Sequence, residues 1–462
     1  MLKLVPLFCA VAGAAALSTW LLMRNQSAGI QARVSQPDGP GMAPTENSVK
    51  AGSKLEHGKG TRSALTGTWP AFRGKDSNGI CSDDVVLAKA WPTSGPRVVW
   101  FVEMGEGYAG AAIANGCAYV LDYNKPEKCD VLRCLSLGDG QELWRYSYPA
   151  KVKPNHGMSR TIPAVTDKVA VTIGPLCVAT CVDALSGELL WTKDLVREFK
   201  ATVPEWYAGQ CPLIEGERVI LAPGGDALMM AVDCKSGAVI WKTPNPLAWQ
   251  MTHSSITPVE INGARTYVYC HKSGVAGVSA DDGRLLWQSD LWTIQQATIA
   301  SPVSLGDGKI LLSGGYGSGA LMLEIREENG VYAVKELFRL KPQIFGSYQH
   351  TPIFYQGNIY GVRPDGQMTC LDREGRVLWS SGKERFGKEG GGPYTLANGF
   401  LFAMDDNGLL TLIDATPAAY KKLAQSQILN GSESWAPMAI ASGRLIARDL
   451  ARMICLDISV LK

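Results

Sequence analysis

Residues Cys181-Val182-Asp183-Ala184-Leu185-Ser186-Gly187-Glu188-Leu189-Leu190-Trp191 read as a strand, a tight turn and a second strand that ends on an indole. Three stretches repeat it at full length: Cys134 to Trp144, Ala231 to Trp241 and Gly277 to Trp287. In all four the first residue is small, a glycine is seventh (Gly140, Gly187, Gly237, Gly283) and a tryptophan is eleventh. A shorter copy runs from Cys370 through Asp372 and Gly375 to Trp379, and degenerate copies lie around Glu324, at Thr411–Asp414 and at Cys455–Asp457.

The spacing carries as much as the motif. Trp144, Trp191, Trp241 and Trp287 recur every 46 to 50 residues, and the double interval to Trp379 leaves room for a copy whose indole slot is taken by Phe338. A period of roughly 40–50 residues built of strands and glycine turns is the signature of a propeller array. The small first residue makes room for a neighbouring indole, the glycine allows positive φ in the turn, and the aspartates accept turn N–H groups. Trp100, Trp144, Trp191, Trp241, Trp287 and Trp379 are therefore read as structural docking residues. Eight copies are counted, the last of which, at Cys455, lacks a partner strand before the chain stops. Arg97–Val102 ends next to Trp100, one period before Trp144, and is expected to supply that strand and close the ring, which removes an open edge.

The fold class is thus all-β: an eight-bladed β-propeller of four-stranded antiparallel blades over 67–462, its ring closed by an N-terminal strand. Ahead of it, 1–24 is an apolar helix and 25–66 a flexible linker poor in residues that bury surface. Leu4–Met23 is long enough to cross a bilayer as an anchor, and also fits a cleaved signal peptide. Either reading makes the protein extracytoplasmic (periplasmic), membrane-anchored or secreted. The segment Gly67–Gly74 is expected to form a lid on one face, with Trp69 and Phe72 packed down and Arg73 bonded to nearby carbonyls. A helix-like stretch, Pro417–Gln425, is assigned to a loop. A net charge of +2 leaves no reason to expect nucleic acid as a partner.

The small-x-Asp-x-x-x-Gly-x-x-x-Trp repeat resembles the tryptophan-docking motif of the bacterial PQQ-like β-propellers. That family includes quinoprotein alcohol dehydrogenases and a non-enzymatic outer-membrane barrel-assembly lipoprotein. Trp69-Pro70-Ala71-Phe72-Arg73-Gly74, Asp414–Pro417 and Trp435-Ala436-Pro437 resemble its exported branch. The resemblance implies PQQ with Ca2+ only where adjacent cysteines and a Glu, Asn and Asp set are present. No two cysteines are adjacent here, so no cofactor and no metal are expected. Of the 12 cysteines, Cys134, Cys181, Cys370 and Cys455 fill the small slot of the repeat; Cys129–Cys134 or Cys177–Cys181 could form local disulfides in an oxidising compartment. Gly105-Glu106-Gly107-Tyr108-Ala109-Gly110 fits a dinucleotide fingerprint without the helix it needs, and Gly315–Gly319 is a glycine loop without the phosphate-binding lysine.

Each blade also opens with a polar residue and a proline, as at Thr161–Pro163, Cys211-Pro212, Thr257-Pro258, Ser301-Pro302 and Thr351-Pro352. Proline suits the first residue of an innermost strand. The residues just before these strands form a polar and aromatic mouth: Tyr108, His156, Arg160, Gln210, His253, Gln295, Gln296, Gln349, His350, Tyr394, Glu433 and Trp435. Tyr108, Arg160, Gln210, His253, Gln349, His350, Tyr394 and Trp435 are the candidate ligand-binding residues, centred on Arg160, His350 and Trp435; no catalytic residue is assigned. The expected function is a monomeric, non-catalytic scaffold that binds a protein partner or small ligand at the mouth and the membrane through its N-terminal segment. The alternative is a PQQ-dependent alcohol or sugar dehydrogenase.

Overall fold

The repeat folds as eight antiparallel sheets, one per copy, in a computed structural model that describes residues 52–153, 159–387, 391–431 and 433–460. Blade 1 is Ala111–Ala114, Cys117–Asn124, Cys129–Ser136 and Glu142–Pro149, from the innermost strand outward. Blades 2 to 8 follow over 164–194, 213–243, 257–289, 303–340, 353–380, 394–427 and 439–457. Among the described residues the helical content is one short segment, Leu195–Phe199, capped by Asp194. No helix of the described residues is long and apolar enough to cross a membrane, and Leu4–Met23 lies outside them.

Three N-terminal strands join blades built from later sequence. Strand β1 (Lys54–His57) adds to the outer edge of blade 1, antiparallel to Trp144–Ser147. Strand β2 (Ile80–Cys81) runs parallel to the inner strand of blade 7. Strand β3 (Arg97–Glu103) is the fourth strand of blade 8, with Trp100 opposite Cys455. Ring closure therefore occurs where the sequence places it. The stretch 25–66, expected to be a flexible linker, contains a strand near its end, because Leu55 packs on the Trp144 side of the joint between blades 1 and 2.

The register explains the motif. In six blades the first residue of the motif pairs laterally with the indole: Cys134 with Trp144, Cys181 with Trp191, Ala231 with Trp241, Gly277 with Trp287, Cys370 with Trp379 and Cys455 with Trp100. Trp100, Trp144, Trp191 and Trp241 then lie over the motif glycine of the next blade. Trp144, for example, sits 2.7 Å from where a Cβ on Gly187 would be, and Gly187 has φ 81°. A side chain there would displace the ring. Where the indole is missing, volume moves across the pair. Phe338 faces Met322 in blade 5, as expected for its slot, and Ala424 faces Leu412 in blade 7. Trp91, from the segment before β3, reaches to 6.4 Å from Phe402 of blade 7, as Trp144 does to Tyr119 (6.0 Å) and Trp379 to Tyr360 (6.0 Å).

All eight blades carry a one-residue bulge beside the pair, as between Cys181 and Val182, and it leaves Leu190 and Ile240 over 40% exposed. The helix-like stretch Pro417–Gln425 is corrected: Lys422–Gln427 is the outer strand of blade 7, because the blade needs a fourth strand. The suggested disulfides are corrected as well. All eleven described cysteines are free thiols, and Cys129 and Cys134 share one extended strand, about 16 Å apart at 3.3 Å per residue.

Candidate functional site

Up-and-down strands sort the connections onto two faces. The glycine turns lie on one face; the loops from each outer strand to the next inner strand, and the hairpins between second and third strands, lie on the other. The mouth is on this second face.

The opposite end of the channel is closed. Residues 69–81 cross it, pairing Trp69 with Ile113 of blade 1, donating Val165 N–H of blade 2 to Pro70 O, and ending as β2 on blade 7. Arg73 points inward at 9% exposure and donates to the carbonyls of Ser77, Asn78, Thr351 and Pro352 at 2.8–3.1 Å. Burial lowers its pKa to about 10, so it remains a cation at neutral pH. The expected lid is present.

Above it, the residues that precede the prolines stitch blade to blade. Ile162 N–H donates to Cys211 Sγ, Cys211 N–H to Ser255 Oγ, Ser255 N–H to Ser301 Oγ and Ser301 N–H to Thr351 Oγ1, at 2.9–3.2 Å. Arg73 takes the chain over at Thr351, and Gly79 passes it on by accepting from Thr395 Oγ1 of blade 7. These side chains look polar in sequence because they satisfy inter-blade N–H groups, not because they face water.

The mouth itself is a linked set of rings and charges. Tyr108 stacks on Trp435 (5.5 Å between centroids, 26° between planes) and donates to Glu433 Oε2 at 2.6 Å. The Arg160 guanidinium lies 5.2 Å from the Tyr108 ring centre, and its Nε donates to Trp206 O at 2.6 Å. Trp206 contacts the His253 ring, and Trp435 Nε1 donates to Asp406 Oδ1 at 2.6 Å. His350 Nε2–H donates to Gly391 O at 3.0 Å, and Tyr394 OH donates to His350 O at 3.1 Å. Gly391 also faces Trp435 Nε1, which joins the two groups.

Burial sets the charges of this set. It holds Arg160 at about 10, partly offset by Tyr108, Tyr207, Glu433 and Tyr316 around it. Burial, then Arg160, pushes His253 down to about 4; burial also pushes His350 to about 4, with Arg73 adding to the effect. At neutral pH both histidines are uncharged and Arg160 is the cation of the mouth.

The structure brings together Tyr108, Arg160, His253, His350, Tyr394 and Trp435. Gln349 is half-buried beside His350, and His156 lies outside the described residues. Gln210 does not belong: it is fully buried, exchanges two bonds with the Ala222 backbone and donates to Tyr269 OH, so it clamps blade 3. Trp206, Tyr207, Tyr316, Tyr348 and Asp406 were missed as site residues. Tyr316 and Tyr348 meet edge to face at 4.7 Å, and Tyr316 sits in the glycine loop that sequence gave no role. Tyr207, Tyr316 and Glu433 hold left-handed backbones (φ 64°, 51° and 58°), a costly conformation for such residues that gathers at binding sites.

A PQQ–Ca2+ centre does not fit these residues. The mouth carboxylates Glu433 and Asp406 already hold Tyr108 and Trp435. No group of three potential ligands clusters among the described residues, and the buried thiols lie within the blades.

The profile of the family described as Outer membrane protein assembly factor BamB matches residues 128–381, more than half of the chain. The chain belongs to that family. An Outer membrane protein assembly factor BamB from Moranella endobia (strain PCIT) is 21% identical over 293 residues, covering 60% of this chain and 69% of the relative. BamB from Moraxella catarrhalis superposes with a TM-score of 0.54 at 13% identity, over 78% of this chain and 99% of the other. The quinohemoprotein alcohol dehydrogenase of Comamonas testosteroni gives 0.57 at 10% identity, over 86% and 81%. At such identities the two structures share the fold alone, so the dehydrogenase likeness adds nothing to the donor set above.

Proposed function

We propose that this chain is a non-catalytic, extracytoplasmic scaffold that holds a segment of a protein partner over the mouth of its channel. On this reading it is tethered by its N-terminal segment, and it serves assembly of outer-membrane proteins as its named relatives do. The observation that carries the reading is the Tyr108–Trp435–Arg160–Trp206–His253 cluster, assembled from five different inter-blade loops on one face of a channel closed at the other. Trp, Tyr and Arg are the residues that dominate protein interfaces, since they offer large rigid area with a polar tip. Local bonds already hold these side chains, so little ordering entropy is lost on binding.

The test is photocrosslinking of the full-length protein in its exported compartment. A photoreactive side chain at Gln349 is expected to give discrete protein adducts that are lost in the combined Arg160→Ala, His350→Ala and Trp435→Ala variant. The same side chain at Lys235, on the glycine-turn face, is expected to give none. Adducts of equal yield from both faces, or adducts untouched by the triple replacement, would reject the reading.

A further inference from the structure

The pairing of β1 has a direction, and the direction decides where the tether leaves the ring. Glu142–Pro149 runs from the glycine-turn face to the mouth face, since it follows the turn at Gly140 and leads into the loop that carries Arg160. β1 pairs with it antiparallel, Lys54 opposite Ser147 and His57 opposite Trp144. Chain preceding Lys54 is therefore delivered at the mouth end, where Gly52 lies against Pro149. Chain following His57 descends: Gly58 N–H donates to Leu143 O, Gly60 N–H to Glu142 O and Ser63 N–H to Gly116 O, the last in a turn on the opposite face. Leu55 seats on the Trp144–Gly187 joint and Arg62 donates to Leu185 O, so the strap crosses from blade 1 onto blade 2.

We infer that β1 is a latch which turns the mouth toward the lipid surface that holds the N-terminal segment, so that the partner of the mouth is a membrane-proximal polypeptide. The inference rests on the tethered reading proposed above. With β1 paired, the tether starts at the mouth rim. With β1 released, it starts near Gly60, bonded to Glu142 at the glycine-turn end of blade 1. The two origins differ by the eight residues from Gly52 to Gly60, about 26 Å of strand. The origin thus moves from one face of the ring to the other, which is why four paired residues can bias which face meets the bilayer.

The full-length protein on phosphatidylcholine–phosphatidylglycerol vesicles containing brominated lipid tests this. A fluorescent side chain replaces either Lys151, exposed at the mouth rim of blade 1, or Asp139, exposed in its glycine turn. Quenching several-fold stronger at 151 than at 139 is expected. Leu55→Asp, which releases β1, should reverse the preference; Glu56→Cys with Arg145→Cys, which oxidation can join across the paired residues, should keep it. Equal quenching on floated vesicles, or no response to Leu55→Asp, overturns the latch and leaves tethering standing. Failure of the protein to float with vesicles overturns both.

Discussion

The two faces of this ring are made by opposite rules. On the glycine-turn face one solution is repeated: a small residue beside an indole, an indole over the next glycine, an aspartate holding the turn. Asp183 and Asp233 do so identically, each accepting from the two N–H groups and the serine hydroxyl that follow. On the mouth face no two loops are alike, bulky residues hold left-handed backbones, and contacts run between rings from different blades. Repetition builds stability, and departure from it builds a surface that can recognise something.

The comparison breaks most visibly at the seam. Removing residues 67–104 takes away the lid, Trp91, Trp100 and the fourth strand of blade 8, and no cooperative thermal transition should remain; a sharp one would show that the ring closes without them. Next in size, Trp191→Ala empties a site 6% exposed and deletes the Nε1–H bond to Cys234 O, which should cost about 3–5 kcal/mol by denaturant titration while leaving crosslinking at the mouth unchanged. Arg73→Met strips four carbonyls, those of Thr351 and Pro352 buried, of a charged donor, and a loss of about 3 kcal/mol is expected from the same titration.

The smallest stability effects should come from the mouth, where the functional effects are largest. Trp435→Ala gives up one stacked ring and one bond to Asp406, about 1–2 kcal/mol, yet should abolish partner crosslinking. The histidines supply a pH test. His253 and His350 have folded pKa values near 4 against the usual 6.5, so between these values the unfolded chain binds more protons than the folded one. Their contribution is complete above about pH 6.5 and is lost as pH falls toward 4. His350→Gln should flatten the fall of stability across that window, and an unchanged slope would show that His350 is not held neutral.

How far the sequence could be read differs between the faces for a physical reason. The docking face depends on pairings within one repeat and between adjacent repeats, so its chemistry recurs at a fixed period. That made the eight blades, the Phe338 slot and the closing strand legible. The mouth depends on which loops a closed circle brings together. Tyr108 and Trp435 are 327 positions apart and become stacked only when blade 8 closes against blade 1. Arg160, His350 and Trp435 were legible from their places ahead of inner strands. Gln210 has the same kind of place and turned inward, because the Ala222 backbone just past the second strand of blade 3 needed its amide. Trp206 and Tyr316 gave no signal, having no counterparts in other repeats.

By itself, the sequence determined the all-β class, the number of blades, the structural role of the indoles and the closure of the ring, because local periodicity and side-chain volume are properties of the chain alone. Only the tertiary structure decided that Trp91 serves blade 7, that every blade is bulged beside its indole slot, that Arg73 and a chain of hydroxyls bind inner strands together, and that the chain just ahead of β1 enters at the mouth rim. Each of these depends on the register and direction of strands distant in sequence, and satisfying buried N–H and C=O groups across the ring fixes both at once.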